Sequence, residues 1–346
     1  MPAHVRSLVR VVAMCSLAAL VLASCATVTV ARPHVTGLPA ISISVPLSNV
    51  ACTTDNSCVA LGTSNLDVSP TSVGEYRAAS GRWTELAAPD AGPSTYIQSS
   101  SCWNDGCLFG GAQASGGLLW RYDAGTHTIT AVTAPTGASG IAAISCYASM
   151  TCAIVESTTS GPQFLTSVDG GETWSTPDGF DFPPHGSVTA LSCQSDLRCM
   201  ASFLSASHGI EVFVSTDGGT LWNERPPTPD TWSVLTSLNC SGKKCVGLTK
   251  RFTGWQIVRT DNFGTSWSRV SSLVGSISTF ACTSLDRCVV AGMTNLQSSV
   301  PLLATVTSGA VRVAKLKYVP SPISEVACGS RICAAIGVTT VMTLRP

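Results

Sequence analysis

Ala143-Ile144-Ser145-Cys146, Cys152-Ala153-Ile154-Val155 and, a little further on, Ser167-Val168-Asp169-Gly170-Gly171-Glu172-Thr173-Trp174 are the stretches that decide the fold. The first two alternate apolar and small residues on either side of a short polar loop, which predicts two antiparallel strands joined by a hairpin. The third reads as a tight turn between two further strands. Its carboxylate can accept backbone N–H bonds of the turn, its glycine permits positive φ, and its tryptophan has a ring to pack on a neighbouring sheet. These roles are structural, so the recurring aspartate is read as part of a scaffold and not as a catalyst or a calcium ligand.

The unit repeats along the chain. Fourteen cysteines fall into seven close pairs: Cys52 with Cys58, Cys102 with Cys107, Cys146 with Cys152, Cys193 with Cys199, Cys240 with Cys245, Cys282 with Cys288, and Cys328 with Cys333. Their first members are 50, 44, 47, 47, 42 and 46 residues apart, the regular spacing of a repeat array. A disulfide across each hairpin closes a small loop and is worth about 2 kcal/mol in the chain-entropy model. Zinc is the rival use, but structural zinc sites prefer closer cysteine spacing and need two such pairs side by side.

The turn motif keeps step with the cysteines. Residues 167–174 match S-x-D-x-G-x-T-W at every fixed position through Asp169, Gly171 and Trp174. Residues 215–222 carry Asp217, Gly219 and Trp222 and depart only at Leu221, and residues 260–267 carry Asn262, Gly264 and Trp267. Degenerate copies stand at Asp123 and Gly125, at Trp83, and at residues 305–309. One hairpin before the motif and one around it make four strands per unit, which predicts an all-β, seven-bladed β-propeller of four-stranded antiparallel blades, each with one disulfide. The last unit has no turn motif. Residues 40–45, Ala-Ile-Ser-Ile-Ser-Val, read as a strand without a blade of its own, so they are expected to complete blade seven, close the ring and remove its open edges.

Composition agrees with one such domain. The chain has 346 residues, 45% hydrophobic and 12% charged, with 20 basic and 20 acidic side chains. It is too apolar for a disordered segment and, being neutral, lacks the basic footprint of a nucleic-acid binder. Arg6 and Arg10 precede an apolar run over residues 11–23, of signal-peptide length and short for a membrane span. Leu22-Ala23-Ser24-Cys25 then resembles the bacterial lipobox, which implies cleavage before Cys25 and lipidation of its sulfur. Ordinary secretion, with cleavage after Ala26, is the alternative. The expected organisation is a lipoprotein signal peptide over 1–24, a tether over 25–37 and the propeller over 38–346. The expected address is the outer face of the membrane in a bacterial envelope.

Arrays of S-x-D-x-G-x-T-W units resemble the BNR (Asp-box) propeller superfamily, which includes sialidases, the sortilin ectodomain and photosystem II assembly factors. The resemblance covers residues 38–346 and implies the fold; the disulfide in every repeat is a departure from it. For activity it implies little, because the motif belongs to the scaffold. Sialidases are similar to six-bladed rings that use three arginines, a tyrosine paired with glutamate, and an acid/base aspartate. Here seven units are counted, Arg32 falls in the tether, and Tyr76, Tyr96, Tyr122, Tyr147 and Tyr318 stand in no recognisable nucleophile context. His127, His185 and His208 are too scattered for a metal site. No cofactor, no metal and no catalytic residue is expected.

What remains is a binding platform. Two loops between successive blades are rich in proline, aromatics and charge, and their candidate contact residues are Phe180, Asp181, Phe182, His185, Arg225, Asp230 and Trp232. Rigid exposed aromatics suit recognition because they lose little entropy on binding; the plainer alternative is prolines turning corners over aromatics that plug the core. The sequence thus reads as a monomeric, non-catalytic envelope lipoprotein. It would bind an unknown envelope protein or glycan, hold the membrane through its lipid, and bind no nucleic acid. A carbohydrate-active propeller enzyme, or a glycan-binding module, is the alternative.

Overall fold

The computed structural model describes residues 34–36, 47–63, 71–90, 94–178, 186–226, 228–229, 232–294, 300–313, 322–337 and 341–345. Strands and turns make up all the regular structure of these residues, as seven antiparallel sheets in succession along the chain. In the first six sheets the strands follow chain order from the innermost, which we call A, outward through B and C to D. The A strands of the seven are Asn49–Cys52, Tyr96–Cys102, Gly140–Ala148, Ser187–Cys193, Trp232–Ser241, Ser276–Ser284 and Ile323–Cys328.

The paired cysteines face each other across every A–B hairpin and are bonded in all seven. Burial follows the strand alternation in both directions, because each sheet is covered on both faces by its neighbours. The buried side chains form seven clusters, one at each joint between consecutive blades. The joint between blades seven and one joins Ile332, Ala334 and Ile336 to Val50, Tyr76 and Trp83. It is reinforced where Asn56 Oδ1 accepts the Arg331 N–H at 2.7 Å and the Ser330 hydroxyl donates to the Thr54 carbonyl at 2.7 Å.

Three findings add to or change these expectations. The cysteine spacing gives a disulfide across each hairpin, and the second member of each pair is in addition a core residue. Cys58, Cys107, Cys152, Cys199, Cys245, Cys288 and Cys333 are all buried, and each of the seven joint clusters contains one of them. The reason is that the second cysteine stands on strand B, which is covered on both faces by neighbouring blades, whereas the first stands on the innermost strand. A disulfide here therefore fills a joint as well as closing a loop.

The second change concerns ring closure. The D strand of blade seven is His34–Thr36, which pairs with Val341–Arg345; it falls within the stretch expected to be a tether, and residues 40–45 lie outside the described residues. The third change is in blade three, which has three strands, Gly140–Ala148, Thr151–Thr158 and Gly161–Ser167, with a single bridge from Thr166 to Ser175 where its D strand would run. Pro177 follows that bridge, and a residue without an N–H cannot extend a ladder. The D strand of blade four, Asn223–Glu224, likewise ends just before Pro226.

Candidate functional site

The turn motif shows how its residues are spent. In blade three the Ser167 hydroxyl accepts the Gly171 N–H at 2.8 Å and donates to Asp169 at 2.7 Å, while Asp169 accepts the Thr173 N–H at 3.0 Å. Blade four repeats this with Ser215, Asp217, Gly219 and Leu221, and blade five with Thr260, Asn262, Gly264 and Ser266. Hydrogen bonds led by the Thr173 hydroxyl hold the Asp169 carboxyl down to about 2. Each motif also fastens to the disulfide hairpin of its own blade, since the N–H of Ala124, Gly170, Gly218, Phe263 or Ser308 donates to the carbonyl of Asp105, Met150, Leu197, Lys243 or Asp286. Disulfides and motif turns therefore share one face of the ring.

The seven A strands enclose a central channel of about 690 Å³, and the first cysteine of every pair lines it. Its other lining residues are mostly serine, threonine, alanine and amide side chains. Several of the hydroxyls are already engaged between neighbouring A strands: Ser101 accepts the Cys146 N–H at 2.9 Å, Ser145 accepts the Cys193 N–H at 2.8 Å, and Thr189 donates to the Leu235 carbonyl at 2.7 Å. The serine before the cysteine is thus a stitch between blades, a role its recurrence in the sequence could have signalled.

Among the described residues, two side chains that can titrate line the channel, Glu325 and Tyr147. Glu325 is half-buried, and the enclosure of its carboxyl pushes it up to about 8 against the Val50 N–H, which donates to it at 3.1 Å. Asn49 Nδ2 donates to its other oxygen at 3.3 Å. The sequence held a signal here too: three residues before the first cysteine the other repeats carry Asn49, Ser99, Ala143, Ala190, Ser237 and Thr279. Burial raises Tyr147. No arginine, lysine, histidine or second carboxylate among the described residues lines the channel, so the paired carboxylates of glycoside hydrolysis have no second member there. No group of three metal-ligating side chains occurs among the described residues.

A tyrosine paired with glutamate does exist, and sequence reading missed it. Glu75, fully buried between blades one and two, accepts the Tyr122 hydroxyl and His127 Nδ1 on one oxygen and Arg77 Nε on the other, the last two at 2.6 Å. Residues 47 and 52 positions apart meet there, and no local motif announces it. Tyr122 is itself fully buried, which closes it to any substrate.

Of the candidate contact residues, Phe180, Asp181, Phe182, His185 and Asp230 lie outside the described residues. Trp232 opens the A strand of blade five and packs edge-to-face on Trp267, with ring centroids 5.8 Å apart, against the core between blades four and five. The Arg225 guanidinium lies 5.8 Å from the Phe263 ring centroid. Both lie at the joint between blades four and five.

No family model and no curated protein matches the chain. Solved structures do match it in fold. YCF48 bound to D1 peptide aligns at 12% identity and a TM-score of 0.62, covering 92% of this chain and 96% of that one. YCF48 from Cyanidioschyzon merolae aligns at 14% and 0.60, over 91% and 99%. A virginiamycin B lyase from Staphylococcus aureus aligns at 11% and 0.60, over 91% and 99%. At such identity the likeness concerns the seven-bladed architecture. Seven disulfides meanwhile belong with an oxidising, extracellular or envelope environment.

Proposed function

We propose that the chain is a non-catalytic cell-envelope lipoprotein whose propeller serves as a protein-binding or assembly scaffold. The observation that carries this reading is the channel wall, which among the described residues has one carboxyl, no cation, and hydroxyls largely committed to holding neighbouring blades together. Propellers of the same architecture include both a peptide-bound protein and a lyase; a channel lining with one carboxyl and no histidine or arginine among the described residues favours the former. Lipidation of Cys25 supplies the anchor in this reading. The chain enters the ring at His34, which pairs with Arg345 beside the Cys328–Cys333 hairpin. The eight residues between Cys25 and His34 reach at most about 30 Å.

Mass spectrometry of the mature amino terminus tests the anchor: a diacylglyceryl-modified Cys25 is expected, and an unmodified chain beginning at Thr27 overturns it. Cross-linking in intact envelopes tests the scaffold. A discrete protein adduct is expected with the wild type, while hydrolysis or elimination on glycan substrates by the purified chain, abolished by Glu325→Gln, would establish an enzyme instead.

A further inference from the structure

The joint between blades five and six lacks a side chain that its counterparts have. In the first six blades the second cysteine faces a residue of strand C, which in turn faces one of strand D, and residues directly opposite share a side of the sheet. In blade one these two are Tyr76 and Trp83, and in blade two Tyr122 and Ile129. One step along the ladder from Thr166–Ser175, Val214–Asn223 and Arg259–Ser268 puts Trp174, Trp222 and Trp267 at the same place. Each of these five D-strand side chains packs into the cluster at the joint with the preceding blade. Blade six has valine at both positions, Val306 and Val311. Val306 is buried in its joint, but Val311 is 36% exposed, against 6% for Trp83 and 7% for Trp222.

A cavity of about 280 Å³ lies in that joint. Its floor is Val246 and Ile257 of blade five with Cys288 and Val306 of blade six, all buried. Ile257 stands three residues before Thr260 as Phe164 stands three before Ser167, and Phe164 is the ring on which Trp222 packs. The rim carries Arg259 and Asp286, paired at 3.1 Å. Val311 and Val313 stand opposite Val306 and Ala304, hence on the blade-five side of their sheet, and are 36% and 60% exposed.

We propose that this cavity receives one tryptophan side chain from a partner polypeptide. The other joints of the ring show the occupant, because Trp83, Trp174, Trp222 and Trp267 fill the matching position at four of them. The rim selects a ring over an aliphatic side chain: Arg259 offers a guanidinium to its face, and the Asp286 carboxylate can accept the indole N–H. A polypeptide fits better than a free ring, since the exposed Val311 and Val313 extend the apolar surface along a strand, and covering them takes residues on either side of the tryptophan. A tryptophan seated in a packed pocket is also the kind of anchor that carries much of an interface's energy. This inference rests on the scaffold reading above and names one contact of the partner.

Fluorine NMR on the purified full chain tests it, with a short serine- and threonine-based peptide carrying one central 5-fluorotryptophan, so that the protein's own tryptophans stay silent. A saturable shift of the fluorine signal is expected, displaced by the unlabelled peptide and not by its leucine counterpart. Binding should weaken about tenfold or more in Val311→Trp, which fills the cavity from strand D, and in Val306→Phe, which fills it from the floor. Asp286→Ala, an exposed change that leaves the core alone, should weaken it about threefold, and Phe252→Ser in the B–C turn of blade five should leave it unchanged; thermal melts show which variants fold. Absence of a saturable shift, equal competition by the leucine peptide, or indifference to Asp286→Ala and to whichever filled variant folds overturns the proposal. Free 5-fluorotryptophan binding as tightly as the peptide overturns the polypeptide as its source. Envelope cross-linking separates the two readings: a wild-type protein adduct that persists in Val311→Trp removes this site and leaves the scaffold standing, whereas no protein adduct in the wild type removes both.

Discussion

The joint between blades three and four and the joint between blades one and two occupy equivalent places in the ring and are built from opposite materials. At the first, Trp222 of the turn motif stands edge-on to Phe164 with centroids 5.2 Å apart, and Gly219 lies so close that a Cβ there would fall 2.1 Å from the Phe164 ring. At the second, the motif is degenerate, and the joint holds the buried Glu75 with Tyr122, His127 and Arg77 around it. Gly125, the counterpart of Gly219, would place a Cβ against nothing closer than Asp123 Oδ1 at 3.2 Å. Both joints nevertheless bury one disulfide sulfur from strand B, that of Cys199 in the first and Cys107 in the second. Repetition therefore fixes where a joint must be filled, and leaves open whether an aromatic ring or a hydrogen-bonded carboxylate completes it.

The largest effect on this contrast should come from removing the ring. Trp222→Ala is expected to cost about 4 kcal/mol, since a buried aromatic leaves both lost burial and a cavity, read as a lowered midpoint in guanidinium unfolding. Next comes the paired glycine test. Gly219→Ala should cost about 3 kcal/mol, because its φ of 94° and the Phe164 contact both resist a Cβ. Gly125→Ala should change stability by less than about 1 kcal/mol, and similar losses from the two would break the comparison. At the polar joint, Glu75→Gln should cost about 2 kcal/mol, because one amide cannot accept from Tyr122, His127 and Arg77 as the carboxylate does.

The smallest effect is a pH dependence confined to that joint. Burial raises the Glu75 carboxyl, but hydrogen bonds from Tyr122, Arg77 and His127 outweigh it and leave it below the ordinary value. Its contribution is therefore fully present above the unfolded carboxylate pKa near 4.3 and is lost as pH falls through the lower folded value. Thermal melts from pH 6 to 3 should show this loss in the wild type and a shallower one in Glu75→Gln. An unchanged slope would mean that other carboxylates govern acid unfolding.

The same contrast separates what could be read from what could not. Asp169, Gly171 and Trp174 announce their turn because its bonds run within eight consecutive residues. Cys58 and Cys245 announce their partners by spacing but not their burial, which depends on the neighbouring blade. Trp232 left two readings open, because a proline-flanked tryptophan looks alike whether it faces solvent or, as here, Trp267. The channel fell between: its hydroxyl stitches were visible as a recurring serine, while Glu325 was visible only as a departure from the small residues at its repeat position.

By itself the sequence determined the number of blades, the disulfide in each and the order of strands, because period and alternation are local properties that every repeat restates. The tertiary structure alone decided that Glu75 meets Tyr122 and His127 and that His34–Thr36 supplies the last outer strand. These depend on which residues from different repeats are brought face to face, and closing the chain into a ring sets those meetings.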